Sequence, residues 1–269
     1  MNISIHEFIF YIFIIACTLY IIHVFIKIIY NRIENLKQSK WNNSDYKLNK
    51  YYRSRKLIST EEPQFKLNAY CINLKNKIKN MDFIHSEWDE YLNIKRFEAL
   101  SSGTKSHVAI LKNIYENKET LQFPIVIMED DVYKKNNFTK YWNQLKDLKE
   151  CDYVTFDAIF LVFKSNQDNV PSDFVSLKES RATGFIIYYK KFFDRFNNID
   201  ELDKEINKTP IDMNFTHNPV FIKYTPIEQI CCQIVDKKST TANYLTKKYI
   251  KYYKKAEKKL QKYRTINKF

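Results

Sequence analysis

One ten-residue stretch, Phe123-Pro124-Ile125-Val126-Ile127-Met128-Glu129-Asp130-Asp131-Val132, does most to limit what this chain can become. Four apolar residues, three of them β-branched, follow a proline and run straight into three carboxylates. So short an apolar run predicts a buried strand of a parallel sheet, with Pro124 tolerated at its start. Parallel sheets place ligands at the carboxyl ends of their strands, where the chain leaves the core. Three acids at such an edge repel one another unless a cation or strong donors lie among them. A hard divalent metal carrying a phosphate meets that need, because a Mg²⁺-type ion takes one or two protein carboxylates and completes its shell from substrate. A solvated acidic turn is the other reading of the same residues.

The chain has 269 residues, 45% hydrophobic and 16% aromatic, enough for one sizeable domain with appendages or two small domains. Its net charge of +13 accompanies an excess of Lys, Asn, Ile, Tyr and Phe. That is the bias of an AT-rich coding sequence, so the basic balance does not by itself imply an anionic partner.

Glycine is scarce. Only Gly103 and Gly184 occur, where average usage would supply roughly 19. Each is therefore expected where the backbone needs positive φ or a close approach. Two glycines this far apart exclude a P-loop and a dinucleotide fingerprint. The five cysteines, Cys17, Cys71, Cys151, Cys231 and Cys232, show no metal-ligand spacing. Reduced, packed thiols are expected.

Phe8 to Tyr30 is long and apolar enough to cross a bilayer, which predicts one N-terminal transmembrane helix within residues 1–31. It lacks the basic start and small-residue cleavage site of a removable signal. No Lys or Arg precedes it, whereas Lys27, Arg32, Lys37 and Lys40 follow, so the remainder of the chain is expected to face the cytosol. Residues 32–66 read as a polar stem.

A domain spanning 67–240 alternates strands and helices, which predicts an α/β sandwich with a mainly parallel sheet. Strands are expected at Leu67 to Leu74, Tyr153 to Phe156 and Gly184 to Tyr189, besides the acidic-ended one. Helices are expected from Ser106 to Tyr115 with Ser106 as N-cap, at Tyr141 to Leu148 and at Lys190 to Asn197. The segment 241–269 reads as a basic amphipathic helix. Anionic lipid heads, nucleic acid and plain solvent are its three candidate partners.

The order of these signals resembles glycosyltransferase family 25, which includes lipopolysaccharide sugar transferases and procollagen galactosyltransferases. The residues that carry the resemblance are Ala69-Tyr70-Cys71-Ile72-Asn73-Leu74, Ser106-His107, Ile125 to Asp131, Ala182-Thr183-Gly184-Phe185, Pro210-Ile211-Asp212 and Pro226-Ile227-Glu228-Gln229. The chain departs from the family in two places. Lys75, Lys77 and Lys79 stand where arginines usually follow the first strand, and Ser102-Gly103 replaces a Gly-Cys pair. Lysine keeps the charge but loses the bidentate fork.

The resemblance implies a GT-A-like, Rossmann-type domain, a nucleotide-sugar donor and a glycan or protein acceptor. It further implies Mn²⁺ or Mg²⁺ held by Asp131 with Asp130 or Glu129, and donor contacts at Asn73, Ser106, Gly184 and Gln229. Inverting transfer needs a base for the acceptor proton. Asp212 is the first candidate, with a helix cap or loop position as its other reading. His107 is the second, with packing beneath a loop as the alternative. Against the enzyme stands a catalytically inactive, membrane-tethered scaffold that binds anionic lipid or nucleic acid through its basic tail.

Overall fold

The computed structural model describes residues 61–135, 137–148, 150–165, 167, 169–181, 183–207, 218–233 and 246–267, together with Tyr20 and His23. Those from 61 onward belong to one compact unit, Leu57–Phe269, separate from Met1–Lys56. No helix among the described residues is long and apolar enough to cross a membrane. The apolar span expected to do so lies outside them, apart from Tyr20 and His23, which are helical and exposed.

Eight strands form one sheet. They are β1 (Leu67–Asn73), β2 (Leu92–Glu98), β3 (Ile125–Glu129), β5 (Tyr153–Thr155), β6 (Ile159–Phe163), β7 (Phe174–Arg181), β8 (Phe185–Tyr188) and β9 (Lys223–Pro226). The order across the sheet is β2-β1-β3-β8-β5-β9-β7-β6. A separate antiparallel ribbon joins β4 (Val132–Lys134) to β10 (Cys231–Gln233). The fold is α/β as expected, but the sheet is mixed. Strand β1 runs parallel to β2 and β3, and β5 parallel to β9, while β8 lies antiparallel between β3 and β5. The hydrophobic run of β8 fits either direction, since residues buried on both faces carry no alternation to distinguish them.

Strand β3 lies inside this sheet, and its alternation divides the core. Val126 and Met128 face one hydrophobic layer, and Ile125 and Ile127 the other, all four fully buried. The first layer receives Met81, Ile84 and Trp88 of helix α1 (Lys79–Trp88) and Phe138, Tyr141 and Trp142 of α3 (Phe138–Asn143). The second receives Ile110, Leu111 and Ile114 of α2 (Gly103–Glu116), the phenylalanine pair of α4 (Lys190–Asp194), and Leu202 and Ile206 of α5 (Ile199–Ile206). Trp88 ties the first layer to the site. Its ring stacks on Phe185 at 4.7 Å, and its Nε1 donates to the Val132 carbonyl at 3.0 Å, just past the acidic triplet.

Two local expectations change. Helix α2 begins at Gly103, and its cap is Ser102, whose Oγ accepts from the Lys105 amide at 3.2 Å. Ser106 lies inside the first turn, fully buried, donating to the Ser102 carbonyl and accepting from the Leu100 amide. Gly103 has neither positive φ nor a close neighbour, and a β-carbon there would meet nothing within 4 Å. Cys71, Cys151, Cys231 and Cys232 are buried free thiols, as expected, while Cys17 lies outside the described residues.

The basic C-terminal segment is helix α6 (Thr246–Asn267). It packs on the domain instead of standing apart as a tail. Tyr253, Ala256 and Leu260 are buried, and the Tyr263 ring meets Phe163 edge-on at 5.0 Å. Lys259 Nζ donates to the Leu161 carbonyl at 2.6 Å, on edge strand β6. An edge strand covered in this way is protected from pairing with another chain.

Candidate active site

The carboxyl ends of β1, β3 and β5 meet the start of β8, and their polar side chains interlock there. At the end of β1, Asn73 is fully buried. Its Nδ2 donates to Asp130 Oδ2 at 2.6 Å and to the Lys77 carbonyl, and its Oδ1 accepts from Arg96 Nε at 2.8 Å. Asn80 of α1 donates to the same Asp130 oxygen at 3.0 Å. Glu129 is held from the other side, by Gln233 Nε2 at 2.9 Å and Thr183 Oγ1 at 3.3 Å. Its backbone amide donates to the Gly184 carbonyl.

Next to these two clamped acids in the chain, Asp131 Oδ1 is buried and accepts no hydrogen bond among the described residues. Burial pushes the Asp131 carboxyl well above the usual carboxylate range, and the charges of Glu129 and Asp130 push it further. Burial also raises Asp130, against the two amides and Lys77, which favour its charged form. A fourth acid belongs to the cluster. Asp157, fully buried beyond β5, is pushed up to about 7 by burial and then by the charge of Glu129. It accepts from the Gly184 amide at 3.0 Å and the Thr155 hydroxyl at 3.2 Å.

Gly184 meets the expectation of a close approach. A β-carbon there would come within 2.5 Å of Asp157 Oδ2 and 2.8 Å of Gln233 Nε2. His107 sits inside α2 and is fully buried. Its Nε2 lies 3.7 Å from Glu129 Oε1, and neither ring nitrogen has a hydrogen-bond partner among the described residues.

Among the described residues no three His, Cys, Asp or Glu side chains gather in a metal-holding group. Two of the three acids of the triplet, Glu129 and Asp130, are already taken up by amides and a hydroxyl. The donor set still suits an ion that takes one or two carboxylates and leaves its other positions to phosphate and water. The orphaned Asp131 oxygen is the observation that fits it.

No protein-family model matches the chain, and no curated protein matches it. It is similar in structure to A197 from STIV, with TM-score 0.42 and 11% identity, covering 62% of this chain and 83% of that one. HddC from Yersinia pseudotuberculosis is similar with TM-score 0.37 and 9% identity, covering 70% and 78%. HddC complexed with GMP-PN gives 0.33 and 11%, covering 68% and 77%. Likeness this distant leaves the chemistry to the residues themselves.

The structure brings together Asn73, His107, Glu129, Asp130, Asp131 and Gly184. It does not bring Ser106 or Gln229. Ser106 serves the start of α2, and Gln229 is buried with its amide donating to the Cys231 carbonyl at 2.8 Å. Glu228 pairs with Arg264 and Asn137. His107 is buried beside Glu129, 3.7 Å from its Oε1 and without a hydrogen bond to it. Asp212 lies outside the described residues.

Sequence reasoning missed Asn80, Arg96, Asp157, Thr183 and Gln233. Asp157 follows Tyr153-Val154-Thr155-Phe156 as an acid just past an apolar strand, the signal already used for Glu129. Arg96 lies near the end of β2, whose polar-rich run Leu-Asn-Ile-Lys-Arg-Phe-Glu conceals a strand. Gln233 carries no local signal.

Proposed function

We propose that the chain is a membrane-anchored glycosyltransferase of the family 25 type, moving a hexose from a nucleotide sugar to a glycan or protein hydroxyl. The observation that carries this is the orphaned, buried Asp131 oxygen, which carries the charge repulsion of Glu129, Asp130 and Asp157 with no donor of its own among the described residues. An acidic turn with no task would relieve that crowding by exposure. Here Asn73, Asn80, Thr183 and Gln233 hold it in place.

In the transfer, the acceptor oxygen bonds to the anomeric carbon while the bond to the diphosphate breaks. The electron pair leaves with the diphosphate, and a base takes the acceptor's proton. A divalent cation, when bound, neutralises the charge that grows on the leaving group. This chain's residues prepare the place for it. Asp131, with Asp130 or Glu129, would hold the ion. Arg96 has a buried Nη2 without a hydrogen-bond partner among the described residues, a donor suited to a phosphate oxygen. Lys77 adds positive charge beside Asp130 and Asp131. Arg96 thus offers one guanidinium nitrogen, its Nε being held by Asn73, beside the segment where the family's arginines are replaced by lysines.

The test is calorimetry of the full-length protein in detergent with Mn²⁺ and uridine diphosphate, followed by nucleotide-sugar hydrolysis across a donor panel. Metal-dependent diphosphate binding that Asp131→Asn abolishes is the expected result. A wild type that binds neither metal nor any nucleoside diphosphate sinks the reading and leaves the tethered scaffold. The cytosolic orientation is part of the same reading, so Asn137, Asn207 and Asn214 should carry no glycan, which a glycosidase mass-shift assay on expressed protein checks.

A further inference from the structure

Beyond the carboxylates, the described surface shows one aromatic side chain exposed at a conformational cost. Phe160 is 41% exposed and has φ 52°, in the left-handed region. A bulky residue there is an outlier that costs on the order of 1–3 kcal/mol and persists where surrounding structure enforces it. A bulge enforces it. Ile159 pairs with Arg181 and Val162 with Glu179, so β6 carries one residue more than β7 between these pairs. Bulges bend a strand and re-aim its side chains, and they are common beside active sites.

The re-aimed ring is not isolated. Tyr252 of α6 lies against it, ring centroids 4.0 Å apart, and the Arg181 guanidinium sits 5.3 Å from its centre. Val162, on the same strand face, is 36% exposed and extends the apolar strip.

This platform is close to the acids along the chain at both ends. Phe160 is three residues past Asp157, and Arg181 is two residues before Thr183, whose hydroxyl donates to Glu129. At ~3.3–3.6 Å per residue, neither can be more than about 11 Å from the cluster, backbone to backbone. That is the reach of one or two sugar rings. The opposite flank of the acids, at Asn73, Arg96 and Lys77, carries the donors suited to a diphosphate. In the sheet Asn73 and Arg96 stand on β1 and β2, and Phe160 and Arg181 on β6 and β7, toward opposite edges.

We propose that Phe160, flanked by Arg181 and Tyr252, is the platform on which a pyranose ring of the acceptor stacks beside the carboxylate site. The proposal rests on the transferase reading for the word acceptor, and it commits to a glycan. A pyranose presents a C–H face that packs on an aromatic ring, and hydroxyls at its rim that a guanidinium and a phenol can reach. Binding sites of this kind pair an aromatic wall with a few placed polar groups. The ring is retained against backbone strain because stacking needs it, whereas asparagine at the same φ would be less strained.

Saturation-transfer NMR on the full chain in deuterated detergent tests this with methyl β-D-galactopyranoside, methyl β-D-glucopyranoside and N-acetylglucosamine as probes. At least one glycoside should receive saturation from wild type. Phe160→Asn should weaken that binding by at least tenfold without lowering Tm, and Phe160→Trp should retain it. Asp131→Asn should keep glycoside binding while losing Mn²⁺-dependent uridine diphosphate binding, so failure of the metal site and failure of the platform are read separately. The proposal is overturned if wild type binds none of the three glycosides or if Phe160→Asn binds them equally. Protection of Phe160 by oligouridylate or anionic vesicles, but by no glycoside, also overturns it and assigns the ring to those partners.

Discussion

Asp157 Oδ2 lies 3.0 Å from the amide nitrogen of Gly184, and a β-carbon on Gly184 would come within 2.5 Å of that same oxygen. The bond and the missing carbon are one arrangement, because the carboxylate occupies the space a side chain would fill. Gly184→Ala should therefore displace Asp157, Gln233 or both, at a cost of about 1–3 kcal/mol. Urea unfolding measures the loss. A variant as stable as wild type would mean that the cluster has slack at this point.

Asp157 contributes to the pH dependence of the metal-free protein, in the same direction as Asp131 and Asp130. Burial and the charge of Glu129 push the folded-state carboxyl of Asp157 up to about 7, against 3.8 ordinarily. A raised acid pKa favours folding while the group is protonated. Stability should thus be fully retained below about pH 4, fall as pH rises toward 7, and level off above that. The span corresponds to a few kcal/mol at most. Melts in EDTA from pH 4 to 8 should show the decline, and Asp157→Asn should make it shallower, Asp131 and Asp130 supplying the rest. A slope unchanged in that variant would place the titration elsewhere.

Removing the Asp131 charge should have opposite effects with and without metal. In EDTA, Asp131→Asn relieves a buried and repelled carboxylate, so Tm should rise. With saturating Mn²⁺, wild type should gain stability by mass action and the variant should gain little. Thermal melts of both proteins in both buffers check the reversal. A metal effect equal in the two proteins would remove Asp131 from the ligand set.

Much of this arrangement is legible in the sequence where apolar runs are short and end in charge. Ile125–Glu129 is a buried strand ending at the acids, and Leu67 to Asn73 and Phe185 to Tyr188 are strands near the expected positions. Strand direction was not legible, since β8 is apolar on both faces. The clamps were not legible either. Asn80, Thr183 and Gln233 come from separate elements, and only folding sets them against Glu129 and Asp130. The cap of α2 was misplaced by four residues because Ser102 and Ser106 offer the same hydroxyl, and only the backbone at Ser102 is extended.

Helix α6 should prove to be structural on one face and electrostatic on the other. Leu260→Ala removes buried surface and should cost about 2–5 kcal/mol. Gln at the exposed Lys254, Lys255 and Lys258 should change stability by less than about 0.5 kcal/mol. If the helix also meets anionic lipid, the same lysine changes should weaken salt-sensitive vesicle binding. Chemical denaturation and vesicle flotation separate the two faces. Binding that is insensitive to salt would reject the electrostatic role.

The bond from Gln233 to Glu129 spans 104 positions. On a ribosome adding 5–20 residues each second, Gln233 is made roughly 5–20 s after the acid it restrains. During that interval the nascent chain carries its acids without their late partner. Mutations in the final quarter of the gene can therefore disturb an acidic cluster encoded near its middle, with no change in any of the acids themselves.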